Sequence, residues 1–144
     1  MPSESALVKM IKKQMEIEKH MEKELKEQER SVHNAAAKLL LLEVRHDASK
    51  HAEMLKELLK QIQRAPNTLL WNFKIDSYVD TEVVRRKLEE HVKLEADVLR
   101  ELQEQIKREK DEGIKLLLQH IADDEDKHHK IMEHIVKKTY TLME

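Results

Sequence analysis

The sequence predicts an all-α chain, a four-helix bundle made of two helical hairpins, and three observations carry that prediction. Gly occurs once and Pro twice, aromatic residues make up 3% and charged residues 39%, the composition of long helices with solvated faces. From Ile114 onward every third or fourth residue reads Ile114, Leu118, Ile121, Glu125, His128, Met132, Ile135 and Thr139, the period of a helix seam that packs on other helices. The two halves of the chain also align without a gap at a constant offset of 77 residues, so the second half repeats the first.

A first helix is expected over about residues 5–29, with the seam Leu7, Ile11, Gln14, Glu18, Met21 and Leu25. Successive helical residues sit ~100° apart, which places Glu18 mid-face and His20 on the opposite side. A second helix is expected over about 34–64, ending before Pro66, whose ring disfavours helical geometry in Ala65. Two registers compete for its inner face. Glu43 and His46 form an E-x-x-H, but continuing that register brings in Asp47, Lys50 and Glu57. The other reads Ala37, Leu41, Val44, Ala48, His51, Leu55, Leu58 and Ile62. It is preferred, because His51 is its single polar member; Glu43 and His46 then face solvent and His51 is the buried histidine.

Residues 65–79 are the one long non-helical connection. Leu69, Trp71, Phe73 and Ile75 alternate there with Leu70, Asn72, Lys74 and Asp76, a near period of two that predicts an extended crossover with one face laid on the bundle. At ~3.3 Å per residue it spans roughly 50 Å, enough to run the length of a ~30-residue helix. A third helix follows over about 80–110, capped by Asp80 or Thr81 with Glu82 in its first turn. Its seam is Val84, Leu88, His91, Glu95, Val98, Leu102 and Ile106. The Asp111-Glu112-Gly113 break leads into the fourth helix, about 113–141, and the whole of 1–144 reads as one domain.

The charge, 27 basic against 29 acidic residues with a net of −2, is mixed along the chain, which argues against nucleic acid or an anionic membrane surface as partner. No window approaches the ~18 apolar residues of a membrane span, and the expectation is a soluble, cytoplasmic protein. Without cysteine there is no disulfide framework and no thiolate metal site, so any metal must sit on nitrogen and oxygen.

The repeat selects the polar interior. Lys38-Leu39-Leu40-Leu41 matches Lys115-Leu116-Leu117-Leu118, Asp47-x-x-Lys50-His51 matches Asp124-x-x-Lys127-His128, and Glu18 falls on Glu95. Symmetry fails where Ala48 answers Glu125 and Gln14 answers His91. The expected interior therefore carries Glu18, His51, His91, Glu95, Glu125 and His128. Buried carboxylates and imidazoles cost several kcal/mol unless paired, hydrogen-bonded or metal-bound, so one of these three must account for all six.

On Glu18, Glu95, the Glu125-x-x-His128 motif and His51, the chain resembles the ferritin-like superfamily of the rubrerythrin and bacterioferritin kind, four-helix bundles that hold two metals on such residues. Ala48 leaves one E-x-x-H degenerate, and His91 could supply the missing ligand. The resemblance implies iron, two ions, with manganese or zinc as alternatives. It also implies oxidation of Fe(II) or reduction of O2 or peroxide, and homodimers are common among such bundles. Asp47 and Asp124, one turn before His51 and His128, are candidates to orient the imidazoles. The rival reading is a non-enzymatic helical bundle, an interaction module whose polar cluster sets helix register or holds a structural or relict metal.

Overall fold

The structure, a computed structural model, describes residues 4–64, 69–70 and 81–137. Its elements are α1 (Ala6–Ser31), α2 (Ala35–Arg64), α3 (Thr81–Arg108) and α4 (Glu112–Ile135), so the described chain is all-α. It divides into two compact units, residues 1–73 and 74–144, each built on a helical hairpin in which α1 packs on α2 or α3 on α4.

The chain turns where short polar side chains take over the first free amides of the next helix. Ser5 caps α1, its hydroxyl accepting from Val8 N at 3.2 Å. Asn34 Oδ1 accepts from Ala37 N at 2.9 Å, and Asp111 Oδ1 accepts from Ile114 N at 3.0 Å. The last two lie at the offset of the repeat, and so do the three-residue loops 32–34 and 109–111 that precede α2 and α4. Because Asp111 is the cap, α4 starts at Glu112 and Gly113 falls inside its first turn rather than in the break. The expected end of the fourth helix beyond residue 137, the crossover apart from Leu69 and Leu70, and the Asp80 or Thr81 cap lie outside the described residues and side chains. Leu69 and Leu70 are exposed.

Within a hairpin the helices meet along one stripe. In the first, the residues shielded from solvent include Val8, Ile11, Met15, Glu18, Glu22, Leu25 and Glu29 on α1 and Leu41, Arg45, Ala48, Ala52, Leu55 and Leu59 on α2. Ile11 is fully buried and Ala48 is 2% exposed; small residues on the line of contact let two helix axes approach closely. Ile106 and Ala122 hold the buried places of the second hairpin. The expected seams are corrected at Leu7, Met21, Val44, Val98, Ile114 and Ile121, which are exposed, and at His51, His91 and His128, which are exposed as well. These residues sit on the flank of the contact stripe. A spacing of three and four marks a broad apolar face, of which a hairpin covers only one edge.

Candidate metal centre

Glu95 sits midway along α3 and Glu125 and His128 one turn apart on α4, on the sides of the helices that face each other. A carboxylate oxygen from each glutamate and a ring nitrogen of His128 all lie within 4.8 Å of one another. The two glutamates are half-buried and His128 is exposed. Glu125 Oε1 stands 4.0 Å from His128 Nδ1, the separation of two side chains spaced three apart on a helix. Glu95 Oε2 is buried and has no hydrogen-bond partner among the described residues. Carboxylates left in such surroundings are destabilising unless a cation compensates them, and a set of two carboxylates and one imidazole suits iron, manganese or zinc. The residues present therefore fit a transition-metal ion.

Neighbouring acids on α4 are already committed elsewhere. Asp123 accepts from Gln119 Nε2 at 3.0 Å, and Asp126 accepts from Lys130 Nζ at 2.8 Å, a bond that also raises the lysine above its ordinary value. Asp124 lies 3.9 Å from Lys127 and Asp47 accepts from Lys50 at 3.0 Å, so the two aspartates expected to orient the imidazoles face lysines three residues on. Glu125 is the acid of its run that turns toward α3.

In the first hairpin Glu18 and His51 meet, Oε1 to Nδ1 at 3.5 Å, at the positions that Glu95 and His128 hold in the second. Ala48 occupies the place of Glu125. His91 is exposed beside Lys87, Glu90 and Leu94, outside the Glu95 group. His20 is exposed and pairs with Glu24 at 3.0 Å, and His46 is exposed as expected.

Two features were not legible as interior chemistry. Glu29, the expected last residue of the first helix, is buried and bonded to Arg45. The repeat carried the signal, since Glu29 falls on the seam residue Ile106. His129 is half-buried, with Nδ1 3.1 Å from the Val92 carbonyl oxygen of α3 and Nε2 2.7 Å from Glu133 Oε1. A groove of about 630 Å³ opens beside it, lined by Val92, Lys93, Lys130, Glu133 and His134 among others; the Glu95 set is not on its wall.

Among the described residues no helix is long and apolar enough to cross a membrane. Comparison with protein-family models, curated proteins and solved structures finds no match to the chain.

Proposed function

We propose that this chain is a ferritin-like metal-binding protein whose α3–α4 hairpin takes a transition-metal ion, iron in the first place, on Glu95, Glu125 and His128. The observation that carries the reading is the convergence of these three ligand atoms within 4.8 Å, on a glutamate whose Oε2 is buried without a partner among the described residues. Bound iron supplies one-electron exchange between Fe(II) and Fe(III), and hence Fe(II) oxidation or reduction of O2 or peroxide. The chain's own part is to neutralise the cation with two carboxylates and to favour it over magnesium with an imidazole.

The ferritin-like reading also enlists Glu18 and His51 for a second ion in a four-helix bundle. Each hairpin keeps an exposed apolar flank at matching positions, Ile17, Met21, Val44 and Met54 in one and Leu94, Val98, Ile121 and Ile131 in the other. A bundle of the two hairpins would cover both flanks, which supports that arrangement.

A second reading rests on Ala48 and Ala52, both buried where the other hairpin has Glu125 and His129. They favour a single structural or sequestered ion in a non-enzymatic protein. Metal analysis of the purified protein, followed by optical spectra during aerobic Fe(II) addition, separates the two: ferric bands with a second ion lost in Glu18→Ala support the first, one inert ion the second. Metal stoichiometry unchanged in the Glu125→Ala/His128→Ala double variant removes the site.

A further inference from the structure

We infer that His129 is a positioning residue for the metal set, and this inference rests on the metal-binding reading of Glu95, Glu125 and His128. A carbonyl oxygen can only accept, so the 3.1 Å contact with Val92 O requires His129 Nδ1–H to donate. The other ring nitrogen faces Glu133 Oε1 at 2.7 Å. His129 is not one of the three residues whose ligand atoms converge, which separates its role from that of its neighbour His128.

What the ring does is join the helices. Val92 lies one turn before Glu95 on α3, and His129 follows His128 and stands one turn after Glu125 on α4. The bond therefore ties α4 to the α3 backbone at the level of the three ligand atoms, two of which α4 supplies and one α3. Helix backbones can slide on an apolar stripe, whereas coordination tolerates displacements of only about 0.5 Å. A hydrogen bond from a side chain to a main-chain atom fixes both height and rotation of α4 in a way that packing alone does not.

The first hairpin supplies the comparison. Met15 stands there for Val92 and the buried Ala52 for His129, and that is also the hairpin in which Ala48 replaces Glu125 and no group of three ligands forms among the described residues. The third ligand and the tether are present together in one hairpin and absent together in the other.

The test uses the full chain in two variants of similar volume, His129→Leu, which removes the donor, and His129→Gln, whose amide still reaches the Val92 carbonyl. Affinity for Co(II) is measured by competition with a chelator, the ligand-field spectrum of the bound ion is recorded, and helix content is followed by circular dichroism. His129→Leu is expected to keep its helix content while Co(II) affinity falls about tenfold and the spectrum shifts, and His129→Gln is expected to restore most of both. Unchanged affinity and spectrum in His129→Leu overturn the inference, as does an equal loss in both variants. If the unaltered chain takes up no Co(II), the metal-binding reading fails first and is identified as the cause.

Discussion

Glu29 Oε2 and Arg45 Nε lie 2.5 Å apart and join α1 to α2 at the two positions where the second hairpin carries the buried Ile106 and Ala122. One hairpin thus places an ion pair where its repeat places two apolar residues. A buried pair is weak evidence of net stabilisation, but removing one member strands the other. Arg45→Ala is therefore expected to cost about 2 kcal/mol, the low side of the range for a buried pair because the arginine is partly exposed. The Glu29→Ile/Arg45→Ala double variant, which copies the second hairpin, is expected to cost under about 1 kcal/mol. Urea unfolding checks both, and a double variant less stable than Arg45→Ala would count against the comparison.

The two caps should be worth the same. Asn34 and Asp111 each accept from the amide three residues on, and replacing such a cap by alanine costs about 1 kcal/mol. Asn34→Ala and Asp111→Ala are expected to lower stability by similar amounts in urea, each without loss of helix elsewhere. A cost near zero for either shows that water serves that helix end as well as the side chain does.

That the chain is all-helical follows from composition and periodicity, and α2 and α4 start beside polar break residues, because a helix start is decided by local chemistry such as the Asn34 and Asp111 caps. Which edge of a broad apolar face meets the neighbouring helix is decided by shape. Ala48 and Ala52 present little side chain and draw α1 toward them, which leaves Val44 and His51 on the flank; hydrophobicity ranks valine above alanine and points the other way. Glu18, His51, Glu95, Glu125 and His128 stand out in the sequence as polar residues on an apolar seam and were expected as one interior set with His91; their grouping hairpin by hairpin, without His91, is decided by packing. His129 and Arg45 were hidden by their context, one inside a run of charged residues and one inside the E-x-x-H of the rejected register.

Ala48 marks the difference between the two hairpins. Ala48→Glu puts a carboxylate at a position 2% exposed, beside the Glu18–His51 pair, as Glu125 stands beside Glu95 and His128. With a chelator present the variant is expected to lose about 3 kcal/mol of stability through an uncompensated buried charge. Adding Mn(II) or Zn(II) is expected to restore much of that loss, the added carboxylate tightening the metal held beside Glu18 and His51. Thermal melts with and without metal, together with metal analysis, decide it; a loss that metal does not reverse means the first hairpin lacks the geometry of the second.

Glu95 gives the sharpest separation between a metal ligand and a structural carboxylate. A structural glutamate is held by donors, so that neutralising it removes bonds and destabilises the protein. Glu95 Oε2 has none among the described residues, so Glu95→Gln relieves a buried charge in the metal-free protein and is expected to leave its stability unchanged or up to about 1 kcal/mol higher. In the unaltered chain, free metal at a hundred times its dissociation constant should add ~2.7 kcal/mol to the folded state, and Glu95→Gln is expected to abolish most of that increment. Melting curves in chelator and in excess Zn(II) measure both halves. A metal-free variant destabilised by more than about 1 kcal/mol, with the increment from metal retained, assigns Glu95 to the scaffold and leaves Glu125 and His128 without their partner on α3.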